Sequence, residues 1–415
     1  MKNIRLKTQG WLFSFLPLTL ISGPFLSDLS LSLISIIFLC NKEVYLNKKY
    51  FKNYFFLFFI ILNLYFVASS LLSENILFSL KSSFFYFRFY IFAIAVWYIL
   101  DKNEIWLKRF FNILKISFII LLIDGFIQYF FGKNIIGLEL QPGPRVSSFF
   151  GDELILGSYL SRLLPVLFGL LIYFYKGNKV KLYIFSSFFL IFADVLTFLS
   201  GERTAFFIIN LSSILIIFLI NNFRNFRLAT YFISILIIIL STNIIPTSKS
   251  RIIDQTIDQI GLNNNGKKYL ISPEYERIYK TGYEIFKENK IFGAGPNMFR
   301  IKCKNFELID KNNYQCTTHP HSVYLQILSE TGILGLIIFV NIFLGICFLT
   351  FKHFIFKIFK KQNYIQDDLT VCLIVSVFIS TFPFIPSGNF FNNYISIIYF
   401  LPVGILLWKM NSKNN

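Results

Sequence analysis

Apolar residues along the chain fall in runs near the length that crosses a bilayer's hydrocarbon core, and short Lys- and Asn-rich connectors separate them. The runs predict spanning helices near residues 10–23, 27–41, 53–72, 80–100, 110–131, 154–175, 182–199, 205–221, 228–246, 333–350, 369–384 and 391–408. That is about twelve, with the first two short. One long polar stretch, residues 247–321, interrupts the series. The pattern predicts an all-α polytopic membrane protein with one large loop containing helices. Its parts are residues 1–246 with nine helices, 247–332 with the loop, and 333–415 with three more.

Within the loop, Ser272 followed by Pro273 is a helix start, and Tyr275, Ile278, Tyr279, Gly282, Ile285 and Phe286 recur at helical spacing. Arg277, Thr281 and Glu284 are expected on the opposite face. The helix should end by Gly293, because FGAGP is a turn sequence. The GLNNNGKK stretch reads as a flexible loop, and no internal repeat is visible.

Composition agrees with the pattern. Apolar residues make up 55% of the chain, charged residues 15%, and phenylalanine supplies 54 positions, more apolar surface than a soluble domain of this length could hide. The net charge of +18 is spread over the connectors instead of gathering on one soluble domain, which argues against a nucleic-acid partner. One set of connectors carries most of the lysines, while the opposite short connectors hold little beyond Lys133, Arg145 and Arg203. This bias predicts both termini on the cytoplasmic side and the large loop outside. The first run has no small-residue cleavage site and is read as retained.

Candidate chemistry centres on Thr317–Val340, where His319 and His321 stand just ahead of a span, at the expected water–membrane boundary. These are two of only three histidines. Pro320 suits the first position of a helix, which would place His321 in the first turn, and Gly332 and Gly335 would separate that short helix from the span. Near the positive end of the helix dipole, His321 would stay neutral and able to accept a proton. His319 is the residue expected to cap the turn or contact substrate. Arg145, Arg203 and Arg277 are retained on the outer face and suit a phosphate or pyrophosphate group. Each also reads as a surface arginine snorkelling or paired with Glu202, Asp152 or Glu153. No residues have structural-zinc spacing, and the chain has no GxxxxGK loop and no DxD-like pair, so no metal or nucleotide cofactor is expected. Cys303 and Cys316 are the only cysteines of the loop, and an oxidising compartment would let them form a disulfide.

These residues resemble the O-antigen ligase and polymerase superfamily of bacterial membrane glycosyltransferases. The likeness rests on His321, Ser322, the nine residues Val323–Thr331, Gly332 and Gly335, which fit a pattern of His, a small polar residue, nine residues and GxxG. RIYKTGYEIFKENKIFGAGPNMF is similar to the family's Arg-helix-GxG stretch, LSGERTAFF to its Ser-x-x-Arg turn, and RVSSFFGDELILGSYL to a further element. Lys290 departs from the pattern where a proline often precedes GxG, and Glu202 sits in a turn that is usually small and neutral. The resemblance implies transfer of a glycan from an undecaprenyl diphosphate carrier to a hydroxyl acceptor. The site would lie on the periplasmic face of a bacterial inner membrane and need no cofactor. His321 would be the base, and Arg203, Arg277 and Arg145 the diphosphate contacts. A ligase would use the lipid A core as acceptor and a polymerase another lipid-linked repeat unit; the spacing from His to GxxG favours the ligase. A lipid-linked oligosaccharide transporter is the rival from another class. It should show repeated halves or charged helices at mid-membrane, and only Asp124, Asp194 and Arg88 point that way.

Overall fold

The computed structural model describes residues 2–143, 145–220, 223–244, 254, 257, 272–360, 362–383 and 385–412. The helices are α1 (Lys2–Ile21), α2 (Pro24–Leu39), α3 (Lys42–Leu46), α4 (Tyr54–Leu71), α5 (Ile76–Ser83), α6 (Phe87–Lys102), α7 (Ile105–Phe131) and α8 (Leu156–Tyr175). They continue with α9 (Lys179–Leu199), α10 (Arg203–Leu219), α11 (Arg224–Ile244), α12 (Pro273–Glu288), α13 (Phe299–Ile309), α14 (Val323–Phe359), α15 (Asp368–Ser380) and α16 (Asn393–Asn411). Among the described residues, each apolar run overlaps a helix. Among the described residues, eight helical stretches are long and apolar enough to cross a membrane, and α2, α10 and α15 are shorter apolar helices. The chain is a helical membrane protein. The GLNNNGKK stretch lies outside the described residues.

The core is built from partners distant in sequence. α6 is buried from Phe89 to Leu100 and packs on α16, while α15 and α9 pack on α8, and α1 packs on α2 and α7. Apolar side chains cover the outside, among them Leu57, Ile61 and Leu64 of α4 and Ile337, Leu344 and Phe348 of α14. Such a surface suits lipid and would be costly in water.

The three charges expected inside the bundle are paired. Arg88 bonds Asp28 at 3.0 Å, and Asp194 meets Arg227 at 3.4 Å and Ser234 Oγ at 3.0 Å. Asp124 accepts from Ser148 Oγ at 2.5 Å and from the Ile135 amide at 2.9 Å, which folds the α7–α8 connector back on its own helix.

The loop helix starts and stops as expected: Ser272 caps it through the Tyr275 amide, Pro273 opens it, and it ends at Glu288. One assignment changes. Thr281 shares a face with Arg277, but that face packs on Gln315, whose backbone bonds the Thr281 hydroxyl, so Thr281 is fully buried. The sequence did not predict α13. Together with α12 it forms a small second core of Ile278, Ile285, Ala294, Met298, Phe299 and Cys303. Cys303 and Cys316 are disulfide-bonded, with Cα atoms 4.9 Å apart, so α13 is tied to the segment that leads into the histidines.

Candidate active site

The site rests on a break in α14. Gly332 has φ 69° and ψ −172°, a conformation that only glycine adopts easily, and the helix changes course there. The FGAGP turn docks into the break. Ala294 and Gly295 amides donate to the Ser329 and Glu330 carbonyls at 3.0 and 2.8 Å, and the Ile333 amide donates to the Lys290 carbonyl at 2.9 Å. A Cβ on Gly332 would lie 2.2 Å from Ile291 O, and one on Gly293 would lie 2.3 Å from the Glu330 carbonyl carbon. From α4, the Tyr65 hydroxyl donates to Thr331 O at 2.5 Å and Ser69 Oγ donates to Phe292 O at 2.7 Å. Gly335 belongs to the same joint, since a side chain there would meet Thr331 and Tyr65.

Glu330, fully buried, locks the joint to α13. Its carboxylate accepts from the Asn297 and Phe299 amides at 2.9 and 3.0 Å, which supplies the start of that helix, and from Gln326 Nε2 at 3.0 Å. Gln326 also accepts the Phe390 amide, so the joint reaches the start of α16.

The histidines sit one step further out. His321 is not in the first turn of α14. Ser322 takes the capping position, extended at ψ 118° with its hydroxyl accepting the Leu325 amide, so the helix cannot begin before Val323. His321 therefore lies outside the helix at φ 52°, uncommon for a residue with a side chain. Ser387, from the turn between α15 and α16, holds it: the Ser387 amide donates to His321 O at 2.9 Å and its hydroxyl accepts the Val323 amide at 2.8 Å.

The two imidazoles are 4.2 Å apart between ring centroids, and Tyr275 of α12 stands edge-on to His321 at 5.5 Å. Their nitrogens differ in use. His319 Nε2 faces the Ser387 carbonyl at 3.3 Å and Nδ1 faces Thr318 Oγ1 at 3.0 Å, so the carbonyl fixes the proton on Nε2 and leaves Nδ1 as acceptor. Among the described residues, neither ring nitrogen of His321 has a hydrogen-bond partner. Burial, then the neighbouring His321, pushes His319 down to about 4, and Arg300 acts in the same direction against the Ser387 carbonyl. Burial also lowers His321 below the usual histidine value.

The arginines form two groups. Arg277 donates to Gln315 Oε1 through Nε and Nη2, at 3.3 and 3.2 Å, which links α12 to the histidine segment. Arg145 pairs its backbone with Gln141 in the α7–α8 connector and acts electrostatically on Glu202, the residue before Arg203. Arg203 opens α10 and is half-buried. Glu202, the departure noted in this turn, caps a neighbouring helix: its carboxylate accepts the Gly157 and Ser158 amides of α8 at 2.7 and 3.1 Å. Burial raises it to about 7.

Residues 185–340 match the O-antigen ligase family model. The resemblance read from the motifs is thereby supported over well under half of the chain. The matched segment holds the histidines, Arg203, Arg277, the FGAGP turn and the Gly332 break, whereas Arg145, Ser387 and α4 lie outside it. No curated protein matches the chain significantly. Three participants were not anticipated from sequence: Arg300, Glu330 and Ser387. Glu330 stood two residues before Gly332 as an acid at the mouth of a span, a signal that was available. Among the described residues, no group of three or more His, Cys, Asp or Glu side chains is placed to hold a metal ion.

Proposed function

We propose that the protein is an O-antigen ligase-like glycosyltransferase, moving a glycan from undecaprenyl diphosphate to a hydroxyl of the lipid A core on the periplasmic face. The observation that carries this reading is the contrast between the two histidines. His319 has both nitrogens engaged and serves to position, while His321 has neither nitrogen bonded among the described residues, which leaves one to accept a proton as a general base does.

In the proposed reaction the acceptor hydroxyl gives its proton to His321 as its oxygen bonds to the anomeric carbon. The bond from that carbon to the diphosphate oxygen breaks, and the lipid diphosphate leaves with the bonding electrons. Charge grows on that leaving group, and Arg203, Arg277 and Arg145 are the groups proposed to neutralise it. The proton on His321 then passes to water. No metal or nucleotide takes part in this scheme.

The polymerase reading differs only in the acceptor, a second lipid-linked repeat unit. Purified protein given lipid-linked glycan with either acceptor separates the two. We expect product with lipid A core, and product only with the second repeat unit would make the protein a polymerase. In the same assay, near-normal turnover by His321→Ala, or equal losses in His321→Ala and His319→Ala, would remove His321 as the base.

A further inference from the structure

Arg162, in the second turn of α8, has no role in the chemistry above. It is only 6% exposed. Its Nη1 donates to Ser158 Oγ at 2.6 Å, its Nε is buried without a partner, and among the described residues no carboxylate lies within ion-pair distance. Glu202 feels its charge, but that carboxylate is committed to the Gly157 and Ser158 amides. Two other arginines packed in the bundle, Arg88 and Arg227, each have an aspartate. A buried guanidinium without one is expensive, and such residues mark sites where a charge arrives from outside the chain.

The surroundings point to where that charge would sit. Arg162 lines a small cavity with Val323, Tyr324, Thr381, Ser387 and Tyr399. Its guanidinium stands 5.9 Å from the Tyr399 ring, and the Tyr399 hydroxyl is also buried without a partner. Arg162 and Tyr399, each with a donor unpaired among the described residues, both line this cavity. Ser387, on the cavity wall, is the residue that holds His319, His321 and the start of α14. A group bound against Arg162 is therefore walled by the backbone that positions the base.

We propose that Arg162 is a diphosphate-binding residue, its planar fork taking phosphate oxygens of the lipid-linked donor beneath the histidine segment. The proposal rests on the lipid-diphosphate reading above and adds to it a contact from α8, outside the matched segment.

The test is binding, not turnover. Full-length protein in nanodiscs is titrated with glycan-free undecaprenyl diphosphate and with undecaprenyl monophosphate, and competition by phosphatidylglycerol is measured. Wild type should prefer the diphosphate, and phosphatidylglycerol should not compete. Arg162→Met should lose about tenfold or more in diphosphate affinity and lose the preference over monophosphate, which a purely structural residue would not change selectively. Arg162→Lys should fall between. Should Arg162→Met not fold, Arg162→Lys decides, and wild-type affinity and preference in that variant would overturn the proposal. Equal competition by phosphatidylglycerol would also overturn it, by marking a headgroup site. No diphosphate binding by wild type would instead bring down the lipid-diphosphate reading itself, and this proposal with it.

Discussion

At the scale of single residues, the charge state of His321 sets the expected pH behaviour. Burial depresses its proton affinity, so the ring titrates below the ordinary histidine value of about 6.5. The acid limb of kcat/KM should be centred below that value, and a limb centred at or above 6.5 would contradict the assignment. His319 gives a stability effect of matching sign. Its folded value near 4 lies below the unfolded one, the unfolded chain binds more protons between them, and stability should drop as pH falls through that window. His321→Ala should lower turnover roughly 10²- to 10⁴-fold with normal membrane levels. Arg203→Lys and Arg277→Lys should each cut transfer severalfold because an ammonium lacks the planar fork, and full transfer by both would exclude a clamp. The break at Gly332 was legible in the paired glycines Gly332 and Gly335. The conformation of His321 was not, since Pro320 and Ser322 both signal a helix start and only the Ser387 contact, 66 residues further on in sequence, decides for the serine.

At the scale of elements, the docked turn makes a sharper forecast. Gly332→Ala would force a side chain onto φ 69° and against Ile291 O, so both stability and transfer should fall, the backbone conformation alone costing about 1–3 kcal/mol. Thermal unfolding and transfer assays of the purified variant check this. Gly345→Ala is the control, because nothing stands within 4 Å of a Cβ there, and equal behaviour of the two variants would deny the joint. The apolar periodicity made α12 readable. It did not reveal α13, whose FRIKCKNFELI mixes apolar and charged positions and whose first amides are satisfied by Glu330 from another helix.

At the scale of the whole molecule, the apolar runs located every long helix but said nothing about partners. A lipid tail is as apolar as a leucine, so the pairing of α6 with α16 or α8 with α15 leaves little trace in hydropathy. The sidedness proposed from connector charge has a direct test: a reporter fused after Asn264, outside the described residues, should be active outside the membrane, and one after Gln362 only inside. Labelling intact protein with a thiol reagent should modify Cys40 readily and spare Cys303 and Cys316 until reduction. The clasp from α4 also bears on how the protein is made. Tyr65 and Ser69 meet partners that follow them by 266 and 223 residues, so a chain still on the ribosome with α11 just emerged has Arg145 and Arg203 in place but neither histidine nor joint. Synthesis itself acts as a safety catch: a half-built copy lacks both the joint and the histidines on which the proposed transfer depends.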